Sequence, residues 1–227
     1  MLRWMYLLST AIFKGKKKKL KQNEEQGEMG KVHPQALVSP DPCYLSSEQE
    51  SFTVWMKSLV LSRKGCTVFD SDGRVVYRVD NYDSKSSNEV HLMDFQGKVL
   101  YTILRKKFKL LGFWEGYRCG GSEIDRTKPG FQVRKTLRFL GGDSPCKITV
   151  GSDKNQPCQY RIESWTSKSA YKIVDNRGAL IAEVKRKQSA SGVVLGEDVM
   201  TLMVEPFIDH SLIMGLVVVY SLISSKM

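Results

Sequence analysis

Ser211-Leu-Ile-Met-Gly-Leu-Val-Val-Val-Tyr-Ser-Leu-Ile223 is hydrophobic almost all the way round any helix drawn through it. At 1.5 Å per residue such a helix is about 20 Å long, short of the roughly 30 Å hydrocarbon layer of a bilayer. Extending it towards the N-terminus imports Asp209 and His210, which a lipid-facing helix disfavours. A helix without a polar face can instead be buried inside protein. A sheet closed around it would cover it on every side. The stretch predicts a core helix over about 210–224, with a tail anchor as the competing reading.

The residues further out supply the sheet. One phrase is written three times: Thr67-Val-Phe-Asp-Ser-Asp-Gly-Arg-Val-Val-Tyr-Arg-Val79, His91-Leu-Met-Asp-Phe-Gln-Gly-Lys-Val-Leu-Tyr-Thr-Ile103 and Lys172-Ile-Val-Asp-Asn-Arg-Gly-Ala-Leu-Ile-Ala-Glu-Val184. Each reads as two strands joined by a tight turn. Gly73, Gly97 and Gly178 stand where a turn needs positive φ, and Asp70, Asp94 and Asp175 can bind the turn's own backbone. Further strands are predicted over 52–61, 108–117, 132–140, 147–150, 159–165 and 199–204, with Pro206 ending the last. In the 132–140 stretch Val133, Lys135, Leu137 and Phe139 share one face, and Arg134, Thr136 and Arg138 the other. Gln188-Ser-Ala-Ser-Gly192 reads as a small flexible loop. Repeated hairpins predict a meandering antiparallel sheet and a mainly β fold.

With 227 residues, 41% hydrophobic and 10% aromatic, the chain can bury a sizeable core in one β domain. Its net charge of +11 favours anionic partners. Residues 1–28 hold +4 of that, through Arg3 and six Lys against three Glu. The apolar run Leu2–Phe13 precedes its main charge, the reverse of a secretory signal, and is too short to span a bilayer. Residues 1–28 are therefore expected to be a basic disordered extension, or sequence upstream of a true start at Met29; lying on an anionic membrane face is the alternative. Were Met29 the start, Pro34 would stand where a myristoylation signal wants Ser or Thr. Residues 29–50, broken by Pro34, Pro40 and Pro42, read as a leader. Cys43, Cys66, Cys119, Cys146 and Cys158 are odd in number and scattered, so neither a disulfide framework nor a zinc site is indicated. No N-x-[ST] acceptor occurs either, and the expected compartment is intracellular.

No catalytic constellation emerges. His33, His91 and His210 share no metal-ligand spacing, and no G-x-S-x-G or phosphate loop is present. Asp70-Ser-Asp-Gly73 has its Gly too early for a calcium loop, so a turn is the better reading. Trp114 and Trp165 read as core or rim aromatics. The expectation is a protein without enzymatic activity, cofactor or metal. Basic segments are more informative. Arg105, Lys106, Lys107 and Lys109 end the second hairpin, and Lys185, Arg186 and Lys187 end the third. If the repeated units are related in space, both clusters could crown one rim and form an anion site. Otherwise they keep a strand edge apart from other edges.

Met29-Gly-Lys-Val-His-Pro34, the Cys43–Leu61 opening, the hairpins at Asp70 and Asp94, Ile103-Leu-Arg-Lys-Lys-Phe-Lys-Leu-Leu111 with Trp114, and the apolar C-terminal helix together resemble the plant LURP-one-related family. The resemblance covers about residues 29–227 and lies in the order of elements. It implies a closed antiparallel barrel of twelve strands, over about 51–227, wrapped on a buried C-terminal α-helix and shared with tubby C-terminal domains and phospholipid scramblases. It also implies a link to plant defence signalling and a relation to membrane-tethered transcription regulators. By analogy with tubby domains, the expected partner is an anionic phosphoinositide headgroup held by the seven basic residues named above. Nucleic acid, resting only on charge, is not expected as a direct partner. The expected location is cytoplasmic, peripheral at membranes or nuclear, and not secreted. The alternative is a scramblase-like membrane protein whose final helix enters lipid.

Overall fold

The computed structural model describes residues 44–57, 65–80, 88–106, 113–120, 126–136, 146–151, 158–164, 170–189 and 191–224. The strands are β1 (Glu50–Trp55), β2 (Gly65–Phe69), β3 (Val75–Asp80), β4 (Glu89–Asp94), β5 (Val99–Lys106) and β6 (Phe113–Arg118), followed by β7 (Phe131–Lys135), β8 (Cys146–Val150), β9 (Cys158–Ser164), β10 (Tyr171–Asp175), β11 (Leu180–Arg186) and β12 (Val199–Val204). Each pairs antiparallel with its chain neighbours, and β12 pairs with β1 over Glu50↔Val204 to Trp55↔Val199, closing a twelve-stranded barrel. Closure removes the free edges of this sheet, so none of the twelve described strands offers an unpaired ladder to another chain.

One helix, α1 (His210–Ile223), occupies the interior. Its residues from Ser211 to Ser221 are all buried, and the fully buried Ile213, Leu216, Val217, Val218 and Val219 meet the inward faces of the strands. This short apolar helix is thus surrounded by polypeptide. Among the described residues no helix is long and apolar enough to cross a membrane.

The three Asp-x-x-Gly turns have one geometry. Gly73, Gly97 and Gly178 have φ of 79°, 87° and 88°. Each Asp Oδ1 accepts two backbone N–H groups: Asp72 and Arg74 for Asp70, Gln96 and Lys98 for Asp94, Arg177 and Ala179 for Asp175, all within 2.8–2.9 Å. The Asp70 carboxylate is thus engaged by its own turn. A register shift follows in every copy, at Val68/Phe69, Leu92/Met93 and Ile173/Val174. These turns and the start of α1 mark one end of the barrel, the turn rim. The odd-numbered strands run away from it and end at the opposite, far rim.

At the turn rim Asp209 caps α1. Its Oδ1 accepts from Ser211 N at 2.9 Å and Leu212 N at 3.2 Å, while Arg118 Nη2 donates to Oδ2 at 3.0 Å. The cap satisfies donors that would otherwise be orphaned inside the barrel. Beside it, the Tyr77 hydroxyl meets Nδ1 of His210, and Phe52 and Tyr44 pack their rings on the imidazole at 5.4 and 5.8 Å. Burial holds the His210 ring below its ordinary pKa, against the opposing pull of Asp209 and Glu50. Four described cysteines (Cys66, Cys119, Cys146 and Cys158) are free, and burial pushes the Cys146 thiol up to about 11. Trp114 is buried in the core. Strand β7 buries Val133 and exposes Arg134, as the alternation requires. Residues 1–43, Trp165, and the far ends of the strands expected over 52–61 and 132–140 lie outside the described residues.

Candidate functional site

Arg105 and Lys106 of the first predicted basic cluster and Lys185, Arg186 and Lys187 of the second lie at the far rim, because β5 and β11 are odd-numbered strands running the same way. They are not neighbours. The barrel order puts six strand steps between β5 and β11 whichever way round it is counted, so they face each other across the mouth. With a helix between the walls, that separation is roughly 20 Å. One phosphate cannot bridge it.

Individual side chains differ in what they already hold. Arg105 is exposed. Lys106 is tied to Glu115 at 3.0 Å and to Tyr117, and those hydrogen bonds, Tyr117's the larger, hold its ammonium above the ordinary range. Lys107 and Lys109 lie outside the described residues. Lys185 and Arg186 are exposed, with Glu183 at 2.7 Å and Glu197 at 3.6 Å. The Arg186–Glu197 pair is exposed on both sides, and such pairs contribute about 0–1 kcal/mol and open readily to a competing anion, whereas Glu183 is half-buried beneath Lys185. Lys187 reaches over β12 to donate to the Thr53 hydroxyl on β1.

The connection from β11 to β12 is more ordered than a flexible loop. Lys187 N donates to Val199 O at 3.0 Å, Leu195 N to Lys187 O at 3.0 Å, and Gln188 bridges Val194. Ser189 N donates to Val193 O at 2.8 Å, and Gly192, with φ of 80°, donates to Ser189 O at 2.9 Å. Residues 187–195 thus form a second small hairpin on the far rim. Its base is braced by Asp198, which accepts from Trp55 Nε1 at 3.2 Å and pairs with Lys57 at 2.8 Å. Chiefly through its hydrogen bond with Lys57, and against a small cost of burial, Asp198 is held below the ordinary carboxylate range. The arm of this hairpin carries Val193, Val194 and Leu195, exposed by 63%, 43% and 53%. Three consecutive exposed aliphatics beside Lys185 and Arg186 form an apolar tip with a basic collar. Sequence reasoning passed over them, although an aliphatic triplet between a Ser/Gly loop and a strand was there to be read.

This combination can seat an apolar tip at an interface while its collar meets anions. Among the described residues, no group of three or more His, Cys, Asp or Glu side chains is placed to hold a metal ion.

Comparison with known proteins adds the family. The LURP-one-related family profile matches residues 50–221, nearly the whole span from β1 to the end of α1. The Arabidopsis thaliana protein LURP-one-related 11 is 47% identical over 206 residues, covering 86% of this chain and 89% of that protein. Protein LURP-one-related 3 from the same plant is 49% identical over 191 residues, covering 81% and 84%. A crystal structure of an Arabidopsis thaliana protein has the same fold at a TM-score of 0.60 and 19% identity, over 82% of this chain and 98% of the other. Barrel, enclosed helix and sequence matches agree, and the chain belongs to the LURP-one-related family.

Proposed function

We propose that the protein is a non-enzymatic binding module that docks on anionic membranes through its far rim. The observation that carries this reading is the exposed Val193-Val194-Leu195 tip beside the collar of Lys185, Arg186 and Lys187. Aliphatic side chains entering the headgroup boundary lose water contact, and basic neighbours gain about 1 kcal/mol each near an anionic surface. Arg105 and Lys106 act as a second, separate contact across the mouth, with Lys107 and Lys109 following them in sequence, so the footprint spans two headgroups. Phosphoinositides, with several charges per headgroup, suit such a collar best. Within this reading the protein acts in plant defence signalling as a tubby-like adaptor at the membrane.

Vesicle co-sedimentation of the full chain tests it. Binding to phosphatidylcholine vesicles containing phosphoinositide should be salt-sensitive and lost by at least about tenfold in Leu195→Asp and in the Lys185→Glu/Arg186→Glu pair. Binding that survives both changes at wild-type strength rejects the reading.

A further inference from the structure

A second basic feature lies on the outer wall, away from the hairpin tip. The register of β7, β8 and β9 sets Arg134 opposite Lys147 and Lys147 opposite Arg161. All three are exposed and alternate with the buried Val133, Ile148 and Tyr160, so they stand in one row on the outside of the barrel. Like charges directly opposite each other on adjacent strands destabilise the pairing, and Lys147 has one on either side. The Arg134 guanidinium lies 4.8 Å from the centroid of the Phe113 ring, which orients its plane. Arg161 Nε donates to Glu163 at 2.7 Å, so this end of the row is partly neutralised. Among the described residues neither Arg134 nor Lys147 has a carboxylate partner. A cleft of about 520 Å³ opens over the row, lined by the three cations together with Thr149, Gln159 and Asn176. Asp175 also borders it, with Oδ1 already accepting from Arg177 N and Ala179 N.

We infer that this cleft binds a phosphorylated anion carrying two or more phosphoryl groups. Arg134 and Arg161, about 10 Å apart at two strand spacings, take separate phosphates. Lys147 lies between them, and Thr149 and Gln159 donate neutral hydrogen bonds. Arginine forks and a central ammonium match phosphate oxygens, and the bound anion removes the repulsion along the row. The site is independent of membrane docking at the far rim. Its ligand is either a soluble polyphosphate or a lipid-borne headgroup.

The test uses the full chain, with inositol hexakisphosphate at constant ionic strength and, separately, phosphatidylcholine vesicles with and without phosphatidylinositol bisphosphate. At about a hundred times its dissociation constant the soluble probe should raise the unfolding temperature by roughly 5 °C or more. Lys147→Thr should abolish that rise while leaving the anion-free unfolding temperature unchanged or higher, since it removes a repulsion. The Lys185→Glu/Arg186→Glu pair should keep the rise, which separates this site from the rim. In the Lys185→Glu/Arg186→Glu protein, binding only to the bisphosphate vesicles that is lost on adding Lys147→Thr supports the same site with a lipid-borne ligand. Three results overturn it: neither probe binding the Lys185→Glu/Arg186→Glu protein, binding by that protein that Lys147→Thr leaves intact, or a Lys147→Thr protein that is less stable without any anion.

Discussion

Glycine is the residue that makes room for the helix. A Cβ on Gly116 in β6 would lie 2.1 Å from Cε1 of Phe131, and one on Gly215 in α1 would lie 3.0 Å from the same carbon. The fully buried Phe131 ring therefore fits between a strand and the helix only because both partners lack a side chain. Gly116→Ala forces that ring off its position inside a packed core, and a loss of about 2–3 kcal/mol is expected, read as a fall in the urea midpoint. Phe131→Leu in the Gly116→Ala background should recover part of it, because the smaller side chain vacates the contact. His210 yields a pH prediction. Its folded pKa is depressed by burial, so the unfolded chain takes up the proton first as pH falls below about 6.5. Stability should be full above that value and decline as pH drops towards the folded pKa. Asp209 and Glu50, the nearby carboxylates, oppose the shift. His210→Gln should flatten the dependence below about pH 6.5 in denaturant titrations, and an unchanged slope would assign it to other groups.

At the scale of elements, the hairpins divide what could be read from what could not. Asp70, Asp94 and Asp175 were legible because a turn's chemistry is local: the carboxylate binds amides two and four residues on, whatever the rest of the chain does. Twelve strands and a closed barrel came from family resemblance, since pairing β12 with β1 joins Val204 to Glu50 across the whole domain. The row of Arg134, Lys147 and Arg161 was invisible for the same reason: register between strands is not written in any one strand. The small hairpin at 187–195 read as a loose loop because one bridge, Gln188 to Val194, leaves no period to detect. The turns also differ in energy. Asp175 is buried and Asp70 only half-buried, so loss of the carboxylate strands amides in a drier place in the third hairpin than in the first. Asp175→Ala should cost about 2 kcal/mol and Asp70→Ala about 1 kcal/mol in equilibrium unfolding. Equal costs would mean that turn geometry, set by the glycines, outweighs the side-chain bonds.

For the whole molecule the decisive relation is between barrel and plug. Leu212, Ile213, Met214, Leu216, Val217, Val218, Val219 and Tyr220 are each less than a tenth exposed. At about 1.5–3 kcal/mol per large apolar side chain removed from water, they supply on the order of 10–20 kcal/mol before entropy is subtracted. The net stability of a domain is about 5–15 kcal/mol. The barrel therefore has no reserve with which to stand hollow, and a helix that left it for lipid would leave its inner wall wet. The ends of α1 point the same way, because Asp209 is buried in the cap and its charge is matched by Arg118 from β6. A chain ending at Ile208 should show no cooperative thermal transition and no near-ultraviolet signature of packed tyrosines. Arg118→Met in the full chain should cost about 3 kcal/mol, since it leaves the Asp209 charge buried without its partner. A scramblase-like arrangement predicts the opposite for the shortened chain, because a barrel that only anchors through its last helix keeps its own fold when the anchor is cut. A sharp melting transition in the 208-residue chain would therefore overturn the enclosed-plug account, whatever the intact protein does at membranes.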